Sequence, residues 1–295
     1  MKRLFFSALG VLLMATNIQA QKLTLEDIWK KGTYRQESVY GLRSMNDGEH
    51  YTTLDRGEKG MEVNKYSYAT GEKIETIISE SILREWASSE DASFQGYTFS
   101  ENENMMLLWF DQEHIYRHST VESYWVLDLK NKSARILKKD GKQRHATISP
   151  DGNKIAFIEG NNLYVQDYKT QAITALTTDG EWNKIINGFA DWVYEEEFSF
   201  DKAFFWAPDG SRIAYYKTDE SEVKEFNMQK FTGLYPEDYR YKYPKAGEDN
   251  SKVTIHVYDI ASGKTHSPNL GEYEYIPRIK WTETSEFLAV MKMPR

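Results

Sequence analysis

The 295 residues are 40% hydrophobic and 28% charged, a balance that supports a packed core and excludes a disordered chain. A formal net charge of −8 argues against a nucleic-acid partner, which needs clustered Lys and Arg, and favours a cationic ligand. Aromatic residues make up 14%, with 20 Tyr, 14 Phe and 8 Trp, and such side chains suit pleated, half-buried surfaces, so the composition leans toward β structure.

Met1 to Gln21, MKRLFFSALGVLLMATNIQAQ, sets two basic residues before an apolar run from Leu4 to Met14 and ends near a small residue, Ala20. This is the pattern of a secretory signal peptide over residues 1–20, and it places the mature chain in a secreted or periplasmic compartment. The apolar run is too short to cross a bilayer, so no membrane span is expected after signal cleavage. Cysteine is absent, so the exported chain holds its fold by packing rather than by disulfides.

Leu23 to Gly32, LTLEDIWKKG, reads as one short helix with Thr24 as cap, Asp27 three residues on in capping-box fashion, and Gly32 as stop. Beyond it the pattern turns to strands. Lys154 to Thr177 reads as three, joined at Gly160–Asn162 and at Tyr168–Thr170. The unit recurs: a polar turn precedes an apolar strand at Ser44, Ser100, Ser149, Ala207 and Thr282, at intervals of 56, 49, 58 and 75 residues. Irregular spacing of this kind predicts a β-propeller, all-β and with insertions in the loops between strands; a β-sandwich alternates too but does not repeat this unit. Two stretches break the rhythm, Glu181–Phe200 and Phe226–Asp249, and insertions on a rigid ring are where binding residues are expected.

Several chemistries find no support. No G-x-S-x-G occurs, so a nucleophile-elbow hydrolase cannot be assembled from this chain by itself. ASGKT at Ala261–Thr265 lacks the earlier glycine of a phosphate loop and reads as a hairpin turn. His114 and His118 lie four apart in strand and loop, where that spacing does not bring them together, so neither a metal nor any other cofactor is expected. DWVYEEEF, Asp191 to Phe198, is different: Glu195, Glu196 and Glu197 stand side by side among Trp192, Tyr194 and Phe198. An arbitrary acidic run would be a solvated helix opening. In this aromatic frame a short helical insertion around 190–200 can pin two neighbouring carboxylates on one small cation, and a peptide's amino terminus is such a cation.

DWVYEEEF, with YPKAG at Tyr243–Gly247, TYR at Thr33–Arg35 and RHS at Arg117–Ser119, resembles the N-terminal propeller of the dipeptidyl peptidase IV group in the prolyl oligopeptidase family of serine peptidases. The resemblance implies an eight-bladed propeller stacked on an α/β-hydrolase domain that releases X-Pro or X-Ala dipeptides. Carried over residue by residue, it implies that Glu196 and Glu197 bind the substrate's amino terminus, that Glu195 points outward, and that Arg117 reaches a backbone carbonyl of the substrate. Asp191, Trp192, Tyr194 and Glu195 would support them. On this reading residues 21–295 hold about the first four to five blades of the ring, an incomplete propeller without the hydrolase domain and its Ser-Asp-His set, and hence no catalytic residue. The expected partners are peptides with a free amino terminus, the missing hydrolase domain and, as in relatives, a second copy of the chain. The alternatives are a non-catalytic propeller binding module and a truncated relic.

Overall fold

The computed structural model describes residues 22–36 and 41–295, so the signal-peptide reading of residues 1–20 falls outside the described residues. Those residues divide into two units, one ending at Tyr40 and one running from Gly41 to Arg295. In the first, Thr24 Oγ1 accepts from Asp27 N at 3.1 Å, the expected capping contact, and Gly32 has φ +62°. The turn that follows is a π-helix, Glu26–Lys30, not an ordinary α-helix, because Lys31 N bonds back five residues to Glu26 O.

From Gly41 onward the chain builds antiparallel sheets in sequence order. The first is β1 (Arg43–Ser44), β2 (His50–Gly57), β3 (Gly60–Ser67) and β4 (Lys73–Ser79), followed by helix α1 (Glu80–Ala87). The second is β5 (Gly96–Phe99), β6 (Met105–His114), β7 (Thr120–Asp128) and β8 (Ser133–Ile136). The third is β9 (Arg144–Ile148), β10 (Lys154–Glu159), β11 (Asn162–Asp167) and β12 (Ile173–Ala175), the three strands and two turns expected for Lys154–Thr177 with one more strand at the edge. Each strand pairs with its neighbour in the chain, the arrangement of a propeller blade.

Why apolar runs such as MMLL and IAFI lack polar alternation follows from burial on both faces. Side chains of a strand point alternately to its two sides. Met106 and Leu108 join Val63, Ile78 and Tyr97 in a core between the first and second blades, whereas Met105 and Leu107 join Ile155 and Phe157 between the second and third. Ala156 and Ile158 in turn pack with Ile213 and Tyr215 of the fourth. Each apolar layer is thus shared by two adjacent blades.

The repeated turn is one backbone device used five times. At Met45, Ser100, Ser149, Ala207 and Thr282 the N–H bonds to the carbonyl five residues on, and the N–H three residues on bonds back to that residue's carbonyl. The first repeat is set at Met45, one residue later than the expected Ser44.

The fourth blade carries both insertions. Its edge strand is split into β13 (Ile185–Asn187), which pairs with Lys217–Asp219, and β14 (Phe204–Trp206), which pairs with Ile213–Tyr215 of β15 (Arg212–Asp219). Between the halves stands helix α2 (Trp192–Glu197). The chain leaves at Gly188 and returns at Ala203: Gly188 N bonds to Tyr216 O, Tyr216 N to Ala203 O and Ala203 N to Gly188 O, each at 2.9 Å. The second insertion is a two-stranded hairpin, β16 (Glu225–Lys230) and β17 (Glu237–Lys242), before β18 (Lys252–Asp259) and β19 (Lys264–His266) complete the blade. ASGKT is the β18–β19 turn, as expected, with Gly263 N bonded to Asp259 O. β20 (Tyr275–Trp281) and β21 (Leu288–Met293) form a fifth sheet of two strands.

Candidate functional site

Three of the sequence segments singled out above meet around α2. Asp191 caps the helix: its Oδ1 accepts from Tyr194 N at 2.9 Å, and its Oδ2 accepts from the Ser251 hydroxyl. Burial raises the Asp191 pKa, opposed by those same hydrogen bonds. Tyr194 points the other way, into the core against the fifth sheet, where its hydroxyl accepts from Ile276 N at 2.9 Å. Arg278 Nη2 donates to Phe198 O at 2.7 Å and closes the far end. The cap is tied to the residue just before β18, and the core side chain and the C-terminal carbonyl are both tied to β20. A six-residue helix, too short to persist alone, is thereby held rigid.

The three glutamates take three different environments, since successive residues of a helix point about 100° apart. Glu195 is 4% exposed, and its Oε1 accepts from His118 N at 2.7 Å, Ser119 N at 2.9 Å and Ser119 Oγ at 3.1 Å. This corrects the expectation that Glu195 is the outward member. The β6–β7 loop lies over that face of the helix and presents two backbone donors, which make a buried carboxylate favourable there. Glu196 is partly buried and faces the same loop, with Arg117 Nε at 2.9 Å and the Tyr116 hydroxyl at 3.4 Å. Arg117 is 60% exposed and its Nη groups make no hydrogen bond among the described residues. Glu197 is exposed and lines a cleft with Trp192, Tyr243, Pro244 and Lys245 of the YPKAG segment. Trp192 packs its ring edge-on against Tyr243, with centroids 4.3 Å apart.

The arrangement offers one carboxylate already matched to an arginine, one facing open solvent beside it in the chain, and an arginine fork with unused donors. That set can receive an ammonium and a carbonyl oxygen. The structure joins RHS, DWVYEEEF and YPKAG; TYR at Thr33–Arg35 lies in the other unit, with Arg35 N bonded to Gly32 O. His114 ends β6 and His118 sits in the loop after it, and no group of three or more His, Asp or Glu that could hold a metal occurs among the described residues. Sequence reasoning missed Tyr116 and Ser251. Tyr116 adjoins Arg117 and was within reach of a wider motif; Ser251 lies 60 residues from Asp191 and carried no local signal.

Comparison with known proteins agrees with this architecture. Residues 100–295 match the model of the dipeptidyl peptidase IV (DPP IV) N-terminal region, and the chain belongs to that family. A probable dipeptidyl-aminopeptidase B of Talaromyces stipitatus is 30% identical over 297 residues, covering 90% of this chain and 32% of that protein. Dipeptidyl aminopeptidase B of Saccharomyces cerevisiae is 35% identical over 190 residues, covering 62% of this chain and 23% of its own length. The crystal structure of Porphyromonas gingivalis dipeptidyl peptidase 4 superposes with a TM-score of 0.84 at 37% identity, covering 93% of this chain and 39% of that one. The chain therefore spans well under half the length of these relatives, and its fold is that of the N-terminal propeller region.

Proposed function

We propose that this chain is the substrate-gating part of an exported dipeptidyl peptidase IV-like serine exopeptidase, in which Glu196 and Glu197 anchor the amino terminus of the peptide and Arg117 meets one of its backbone carbonyls. The observation that carries the reading is the Arg117–Glu196 ion pair at 2.9 Å, set beside an exposed Glu197 on a helix whose neighbour Glu195 pins the arginine's own loop. A free amino terminus brings three N–H donors and a positive charge to two carboxylates. An internal peptide brings neither, and would strip water from the carboxylates without replacing it. The acidic pair thus acts as a ruler: it fixes the distance from the peptide's end to the bond that the hydrolase portion cuts, so that dipeptides leave. In this role the propeller residues position and select, and the bond-breaking groups belong to the hydrolase portion that the family resemblance implies.

The test is hydrolysis of a Gly-Pro substrate by the full-length protein carrying Glu196→Gln or Glu197→Gln. Loss of one charge-assisted hydrogen bond should lower kcat/KM by roughly 10- to 100-fold in each. Wild-type rates in both variants would refute the anchoring role. Binding of a Gly-Pro peptide with no turnover by the wild-type protein would favour a non-catalytic binding module. Export follows from the pattern of residues 1–20, and is checked by fractionating cells and locating the processed chain.

A further inference from the structure

β9, an edge strand of the third blade, is bulged. It pairs with β10 at Thr147–Ala156 and again at Arg144–Ile158, so His145 and Ala146 together stand opposite Phe157. His145 occupies the bulge with φ +56°, in the left-handed region, a strained backbone for a residue that carries a side chain. A bulge re-aims the side chain it holds. Here His145 Nε2 lies 2.9 Å from Asp201 Oδ2, in the α2 insertion of the fourth blade. A carboxylate can only accept, so the ring nitrogen donates.

Asp201 is 6% exposed, and this is the one hydrogen bond of its side chain among the described residues. Its other oxygen, Oδ1, is buried without a partner, and the Arg144 charge attracts it only from longer range. A buried carboxylate with a single donor adds little to stability for what its desolvation costs. Its place in the chain gives it a use. Asp201 comes four residues after Glu197, where the insertion returns to the sheet. The backbone bond from Ala190 N to Asp201 O joins the two legs of the insertion to each other, and Lys202 Nζ donates to Thr147 Oγ1 at 2.7 Å one residue further on. Between the helix and this return the chain turns at Ser199, with φ +57°. The segment after Glu197 is therefore clamped from both neighbouring sheets: Arg278 of β20 holds Phe198 O, and His145 of β9 holds Asp201.

We propose that His145 is a positioning residue of the peptide-anchoring site: through Asp201 it fixes the C-terminal end of α2, and with it the Glu197 carboxylate. The inference rests on the anchoring role given above to Glu196 and Glu197. His145 touches no atom of the peptide and acts on the amino terminus through the placement of Glu197.

The test uses the full-length protein and a Gly-Pro substrate. His145→Gly removes the ring, and glycine adopts a left-handed backbone freely, so a loss of function in this variant does not come from strain. It should raise KM about 10-fold and leave kcat within about twofold, the mark of weakened binding rather than altered chemistry. Asp201→Asn keeps the shape of the side chain and removes its charge, and should raise KM about threefold or more. His145→Gln retains a donor of similar reach and should bring KM back to within about threefold of wild type. In a Glu197→Gln background His145→Gly should add less than about twofold, because the carboxylate that it positions is gone. A general folding defect would persist there in full. Should His145→Gly fail to fold, Asp201→Asn alone and combined with Glu197→Gln decides on the same criteria. Wild-type KM in Asp201→Asn and in folded His145→Gly overturns the proposal, as does an effect undiminished beside Glu197→Gln. If Glu196→Gln and Glu197→Gln themselves leave kcat/KM unchanged, the anchoring reading falls and this inference with it; a loss in Glu197→Gln with none in His145→Gly and Asp201→Asn overturns this inference alone.

Discussion

At the scale of the residue, the acidic triplet shows how three identical side chains acquire three environments from their surroundings. Glu195 accepts three hydrogen bonds from the loop that carries Arg117, so in the proposed site it would position that loop. Glu195→Ala removes that clamp and leaves two backbone donors unpaired, at a cost of about 3 kcal/mol in urea unfolding. Amide hydrogen exchange at His118 and Ser119 should accelerate, and on the proposed function the KM of the full-length protein for a Gly-Pro substrate should rise. Unchanged exchange at those two amides would remove the clamp from the account. Glu220 supplies a pH signature. Burial, reinforced by the negative charge of Asp191 and opposed by Lys242, pushes its pKa from the usual 4.5 up to about 7. A carboxyl whose folded pKa is raised favours the folded state fully below its unfolded value, and that contribution is lost as pH rises through the folded value. Glu220→Gln should therefore flatten the fall in stability between about pH 5 and about pH 8 by on the order of 3 kcal/mol, at roughly 1.4 kcal/mol per unit of pKa. Urea midpoints of the two proteins at both pH values check this, and parallel profiles would contradict it.

Elements explain how the site is delivered. The edge strand of the fourth blade stops at Asn187, detours through α2 and resumes at Phe204, and the detour is pinched shut by the three hydrogen bonds at Gly188, Ala203 and Tyr216. Gly188 turns the chain out of the sheet with φ +85°, in the left-handed region, and a Cβ there would lie 3.3 Å from Ile158 Cδ1 of the third blade. Both facts call for glycine. Gly188→Ala should cost about 2 kcal/mol, from backbone strain of 1–2 kcal/mol plus crowding of Ile158. It should also lower kcat/KM for a Gly-Pro substrate, because α2 is rotated at its root. Thermal and urea unfolding together with steady-state kinetics measure both effects; a stable variant with wild-type kinetics would show that the detour tolerates a side chain.

Over the whole molecule, stability resides between blades. Ile78 belongs to the layer between the first and second blades and Ile276 to the layer between the fourth and fifth, with no shared partner in either cluster. Ile78→Val and Ile276→Val should each cost about 1 kcal/mol, and the double variant should equal the sum to within about 0.5 kcal/mol. Urea unfolding of the single and double variants gives the comparison, and a coupling above that margin would show that distant layers communicate. Among the described residues no helix is long and apolar enough to cross a membrane.

The sequence by itself determined the blades and named the segments that meet at the candidate site. Turn-strand repeats and apolar runs are local signals, because a backbone turn is closed by residues five apart and a strand's burial is written in consecutive side chains. The DWVYEEEF, RHS and YPKAG segments could be named on the same terms. Tertiary structure alone decided which glutamate faces inward: Glu195 is buried only because a loop 76 residues earlier in the chain lays its amides on that face of α2. It also decided the partnership of Asp191 with Ser251. Contacts of that kind depend on how adjacent blades and their insertions are brought together, which no local pattern of residues encodes.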